Sequence, residues 1–85
     1  MTRNEFEIEI RKMIDNGENN VEEVAIGSVC FTFNKPLAVN LNCNAILTCD
    51  KIAFDNYMTD FFSLYRHGVY FGMVDVKEVR YINFL

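Results

Sequence analysis

Between Phe54 and Phe71 the chain carries Phe54, Tyr57, Phe61, Phe62, Tyr65, His67, Tyr70 and Phe71, and this concentration of rings constrains the fold more than any other feature. A chain of 85 residues buries only about 60% of its unfolded surface, so its core is thin. Rings covering about 150–250 Å² each are then the most effective core builders, and an excess of them leaves some at the surface. The length accommodates one domain, residues 1–85, without a second. With 51% apolar and 24% charged residues the composition is that of a folded chain.

Charge is unevenly spread. Through Glu23 there are seven acids (Glu5, Glu7, Glu9, Asp15, Glu18, Glu22, Glu23) against three bases (Arg3, Arg11, Lys12), which accounts for all of the net −4, and the remainder balances at five against five. An acidic first third disfavours phosphate backbones, where lysine and arginine supply most of the affinity. It suits a basic protein surface. The opening residues mix both signs without an apolar h-region, and no run approaches about 18 consecutive apolar residues, so no membrane is expected and the cytoplasm is the expected compartment. Cys30, Cys43 and Cys49 are odd in number and lack paired spacing, which reads as reduced thiols.

Thr2 and Glu5 fit a capping box, and Phe6, Ile10, Met13 and Ile14 form one apolar stripe ahead of Asn16-Gly17. The reading is a helix over 3–15. A strand is the rival, because Phe6, Ile8 and Ile10 also alternate with Glu5, Glu7 and Glu9. Next come β-prone runs at Val21 to Ile26 and Ser28 to Phe33, with Gly27 between them as a bend. Asn34-Lys35-Pro36 reads as a turn into the alternating Leu37, Val39 and Leu41, giving an expected hairpin. Further turns are expected at Cys43-Asn44 and Asp50-Lys51. Asp55 is placed to cap a second helix carrying Tyr57, Phe61 and Leu64 beside Met58, Phe62 and Tyr65, ended by Gly68. Val69 to Val74 and Arg80 to Leu85 complete the sheet, with one helical turn in Asp75 to Val79. The expected fold class is α+β: an antiparallel sheet of about four to five strands with two helices packed on one face, in the order α-β-β-β-α-β-β.

No stretch announces chemistry. His67, the one histidine, reads as a cap at the end of the second helix instead of a general base. A Cys-His nucleophilic pair needs a cysteine to meet it in space. Zinc on Cys43, Cys49 and His67 lacks a fourth ligand and the usual short spacing. Gly17, Gly27, Gly68 and Gly72 are isolated, so no phosphate loop forms. We expect no catalytic residues, no metal site and no cofactor. Arg66, Lys77 and Arg80 near Tyr65, Tyr70 and Tyr81 offer only a weak version of an RNA-binding sheet.

Protein recognition remains, because aromatic and arginine side chains dominate interface hot spots. The expected partner surface comprises Glu5, Glu9, Glu22, Glu23, Tyr57, Tyr65, Arg66, Tyr70 and Tyr81. Small size, absent active-site motifs and lopsided acidity match the general character of phage or mobile-element inhibitors that block a host defence enzyme through a basic groove; no residue motif carries a family resemblance. The alternatives are a small-ligand or nucleotide-binding homo-oligomer with an aromatic pocket at its interface, and a structural subunit of a larger assembly. The sequence leaves a homodimer open.

Overall fold

The computed structural model describes residues 1–15, 21–25, 28–55 and 60–85, with backbone only at 14–15, 21–25, 28 and 55. Helix α1 (Arg3–Asp15) opens the chain, followed by β1 (Val21–Ala25), β2 (Ser28–Leu41), β3 (Ile46–Asp55), β4 (Phe61–Arg66) and β5 (Val69–Asp75). A 3₁₀ turn (Val76–Glu78) leads into β6 (Val79–Phe84). The α+β class with an antiparallel sheet is as expected, and among the described residues a single α-helix packs on it.

The capping box forms as the sequence requires. The Glu5 amide donates to Thr2 Oγ1 at 3.1 Å, and the Thr2 amide donates back to Glu5 Oε1 at 3.2 Å. Two amides without intrahelical partners are thereby satisfied, which starts a helix and not the rival strand. Phe6 and Ile10 are fully buried, while Ile8, which a strand would have placed beside them, is exposed. The expected helix stop at Asn16-Gly17 and the bend at Gly27 lie outside the described residues.

β2 is the spine of the sheet. Its odd-numbered residues Phe31, Phe33, Leu37 and Val39 are all buried, so one strand keeps one face on the core through both halves of its length. β3 pairs with both halves, at 28–32 and at 37–40, with a register shift between Thr32 and Leu37. The other edge of β2 is shared: β1 pairs with its first half and β6 with its second. The hairpin expected at Asn34-Lys35-Pro36 is therefore corrected to an irregularity inside one long strand. Proline has no amide to give a ladder and is tolerated at such a site. The Pro36 carbonyl accepts from the Leu85 amide at 3.0 Å. The turn expected at Asp50-Lys51 is likewise absent, since β3 runs through it, whereas Cys43-Asn44 does turn, with Asn44 at φ 68°.

The larger correction concerns the second helix. Residues 61–66 form β4, in which Phe62 and Leu64 are buried and Phe61, Ser63 and Tyr65 are half-buried, a period of two. The apolar residues Phe61, Phe62, Leu64 and Tyr65 satisfied both templates in the sequence, and the sheet's demand for a partner to β3 decides between them. The cap expected at Asp55 and the positions Tyr57 and Met58 lie outside the described side chains.

β1 to β5 form a meander, and β6 adds to β2. Four inter-strand spacings separate β5 from β6, about 19 Å in a flat sheet. The three-residue 3₁₀ turn between them advances only about 6 Å. The sheet must therefore curl into an incomplete barrel. The turn is pinned to both ends of that curl: the Val76 amide donates to the Asp60 carbonyl at 2.8 Å, and the Asn42 amide donates to the Glu78 carbonyl at 2.9 Å. Inside, Phe6 of α1 packs against Phe54 at 5.6 Å and Phe62 at 4.8 Å between ring centroids. Val76, Val79 and Ile82 close the far side of the core.

Candidate binding surface at the β4–β5 hairpin

Arg66 pairs with Val69, so β4 and β5 are joined by two residues, His67 at φ 50° and Gly68 at φ 79°. Two successive left-handed residues make a type I′ turn, whose twist matches that of the flanking strands. Glycine is at ease there; the histidine is held by its backbone, which donates to Asp50 Oδ2 at 2.8 Å. His67 is thus at a hairpin tip and caps no helix. Its ring is almost fully exposed, with Nδ1 3.7 Å from the same carboxylate oxygen.

Asp50, Arg66 and His67 line a shallow cleft of about 170 Å³ together with Pro36, Thr48 and Cys49. Cys49 and His67 thus line one cleft. Yet burial pushes the Cys49 thiol up to about 12, helped by the Asp50 charge and opposed by Arg66. An activated nucleophile needs the reverse. Cys43 is exposed on the β2–β3 turn, away from the buried Cys49, and among the described residues no three His, Cys, Asp or Glu side chains gather to hold a metal.

Beside the cleft the rings assemble. Tyr65 and Tyr70 meet edge to face at 5.8 Å, and Lys51 Nζ lies 5.5 Å from the Tyr65 ring centre. Arg66 donates from Nε to the Thr48 carbonyl at 2.8 Å and stacks its guanidinium 4.2 Å over Phe71. Both contacts hold an arginine flat and poised at the surface, where a planar cation is most effective. Val69 (63%), Tyr70 (54%), Phe71 (56%) and Met73 (42%) remain exposed. Four of the eight large apolar side chains exposed among the described residues therefore lie on one strand. Among the described residues β5 pairs with β4 alone, so its outer backbone edge has no ladder partner. A register shift at Leu64/Tyr65 leaves Phe71 as the extra residue of a bulge, next to Gly72 at φ 133°.

The predicted surface is thus brought together only in part. Tyr65 and Tyr70 meet, while Arg66, the next residue of β4, stacks on Phe71 instead. Tyr81 does not join them: it is on β6, with β2 and β3 between it and β4, and Arg80 covers its ring at 5.3 Å while donating to Asn44 Oδ1 at 3.1 Å. Glu5 is engaged in the capping box, which holds its carboxyl below the usual range through the Thr2 amide and hydroxyl. Glu9 pairs with Lys12 at 3.5 Å, and Glu7 lies between Arg3 and Arg11. The acidic patch expected on α1 is corrected to a face of mixed charge, because bases three and four residues away neutralise it. Glu22 and Glu23 belong to β1, in antiparallel register with Phe31 and Cys30, and their side chains, like Tyr57, lie outside the description. The cations are also dispersed, with Lys77 beside Asp60 at 3.9 Å.

The chain matches no protein-family model, no curated protein and no solved structure. Among the described residues no helix is long and apolar enough to cross a membrane.

Val69, Phe71 and Met73 were missed by sequence reasoning. Their signal was the run from Val69 to Val74, apolar at every position but Gly72 and without polar alternation. Such a run reads as a strand buried on both faces. Here it is an edge.

Proposed function

We propose that this protein is a non-enzymatic protein-binding module whose contact surface is the β4–β5 hairpin and the β5 edge. One observation carries the reading: Val69, Tyr70, Phe71 and Met73 are all exposed along one strand whose outer edge has no partner among the described residues. Exposed rings with a stacked arginine are the composition of interface hot spots. An uncovered strand edge adds main-chain donors and acceptors in a row. Blocking a host enzyme suits such a module, which needs only to cover a surface. The acids of α1 contribute little to this reading, since their charge is met locally, so binding is expected to depend weakly on salt. Within one chain the cleft of about 170 Å³ is below the roughly 300–1,000 Å³ of small-molecule sites, so the ligand-binding alternative rests on a pocket formed between subunits.

The test is binding of a protein partner captured on the purified chain, compared across variants. Tyr70→Ala and Arg66→Ala should each weaken it by about 10-fold or more, as hot-spot truncations of about 1.4 kcal/mol or above do. Tyr81→Ala should leave it unchanged. A partner that ignores both hairpin changes would refute the assignment.

A further inference from the structure

We propose that the cleft at the β4–β5 turn is a subsite for a primary amide, the side chain of a glutamine or asparagine on the partner, whose carbonyl accepts from Arg66 and whose NH₂ donates to Asp50. This rests on the binding surface assigned above and names a residue type of its partner. Three observations carry it.

The first is that two opposite charges share the cleft without pairing. Asp50 and Arg66 both line it. Left free, such a pair closes on itself. Here the backbone holds each side chain elsewhere: Asp50 Oδ2 accepts from the His67 amide at 2.8 Å, and Arg66 Nε donates to the Thr48 carbonyl at 2.8 Å. The base that Asp50 does approach is His67, with Nδ1 at 3.7 Å.

The second is what these contacts leave unused. Phe71 covers one face of the guanidinium at 4.2 Å, and Nε is taken by Thr48, which leaves the two Nη groups at the free end of the fork. Among the described residues those groups have no acceptor and Asp50 Oδ1 has no donor. The Asp50 side chain is about one-third exposed, at 34%, so a guest can reach it. Donor fork and acceptor are both fixed before anything binds, which lowers the ordering cost of association.

The third is selection by charge and size. A carboxylate would suit Arg66 and be repelled by Asp50; an ammonium would suit Asp50 and be repelled by Arg66. Both charges reach the floor of the cleft, where they act on the buried Cys49 thiol in opposite directions. A primary amide is neutral and has a carbonyl acceptor beside two N–H donors, which satisfies both sides at once. The volume of about 170 Å³ holds roughly five or six groups of water size at about 30 Å³ each. That is the scale of one amide side chain.

The experiment is a proton–nitrogen NMR titration of the purified full chain, following Arg66 Nε and the His67 amide. The probes are propionamide, propionate and propylammonium, each from millimolar to near-molar concentration at constant ionic strength. Propionamide should move both signals and bind about 10-fold or more tighter than either ion, the margin of one hydrogen bond to a charged group. Asp50→Asn keeps an oxygen for the His67 amide and removes the negative charge, so in this variant propionate should become the preferred probe. Tyr81→Ala should titrate like the wild type. A wild type that prefers either ion or leaves both signals unmoved by propionamide overturns the proposal, and the wild-type comparison stands whether or not a variant folds. An Asp50→Asn variant that folds and keeps the amide preference overturns it as well. A chain that ignores propionamide and still loses a protein partner on Tyr70→Ala would overturn the subsite alone and leave the binding surface standing.

Discussion

Replacing Phe6 with alanine tests how the helix is held. Phe6 is fully buried, and the other buried positions described on α1 reduce to Ile10, with Met13 partly covered. A 13-residue helix is marginal on its own in water, so its existence depends on this docking. Truncating a buried phenylalanine costs about 3–5 kcal/mol. The ring also meets Phe54 at a 76° interplanar angle and Phe62 at 38°, and aromatic pairs add about 0.5–1.5 kcal/mol beyond burial. We therefore expect a value in the upper part of that range, about 4–5 kcal/mol. A chain of this length has a total stability of only about 4–13 kcal/mol. Urea unfolding followed by far-ultraviolet circular dichroism should then show a midpoint lowered by roughly 4–5 M at a slope near 1 kcal/mol/M, or a chain unfolded without denaturant. Phe6→Leu, which keeps most of the apolar volume, should lose only about 1–2 kcal/mol. If Phe6→Ala costs less than about 1.5 kcal/mol, or if leucine is as damaging as alanine, the ring contacts are not what docks α1.

Gly72→Ala should destabilise by about 1–3 kcal/mol through the backbone alone, since φ is 133° and the added methyl meets nothing within 4 Å; an unchanged melting temperature would refute the strain. Glu5 has a depressed carboxyl in the folded chain, so its contribution is present above the ordinary carboxylate range and is lost as pH falls through the lower folded value. Thermal melts from neutral pH into the acid range should therefore fall less steeply for Glu5→Gln than for the wild type, and parallel curves would exclude the cap as a source. Cys49, with its thiol raised to about 12, should resist alkylation at pH 8 while the exposed Cys43 reacts. The same shift is a stabilising linkage at neutral pH that disappears as the solution becomes alkaline beyond the unfolded thiol range, so unfolding midpoints of the wild type should drop there relative to Cys49→Ala.

Local signals were legible where one residue type has one use. The pair Thr2 and Glu5 specified a helix start, because capping is decided within four residues, whereas Gly68, read as the stop of a second helix, is in the turn of a hairpin. Long-range signals were not. Asn34-Lys35-Pro36 has the composition of a turn, yet the strand passes through it, since β3 and β6 hold Leu37 to Asn40 on both sides and the odd residues stay on the core face. From Phe61 to Tyr65 every apolar position fits both a helix and a strand, and only the pairing with β3 and β5 chooses. Of the residues at the β4–β5 hairpin, Tyr65, Arg66 and Tyr70 are conspicuous in the sequence as rings and arginine. Val69, Phe71 and Met73 were hidden, since an apolar run looks the same on an edge as in an interior.

Folding itself does not account for that run. The core is supplied by the odd residues of β2, by Ile52 and Phe54 of β3, by Phe62 and Leu64 of β4, and by α1 and the final strand. β5 adds Val74, partly buried, and opposite Leu64 it places Gly72, which has no side chain to bury. Replacing the exposed β5 residues with polar ones would therefore remove little from the core while protecting an edge that ordinarily needs protection. A soluble monomer gains nothing from keeping Tyr70, Phe71 and Met73 in water on an unpaired strand. A chain whose β5 is covered gains both the apolar contact and the missing half of the ladder, and that difference is why the edge, and not the cleft beside it, carries the functional argument.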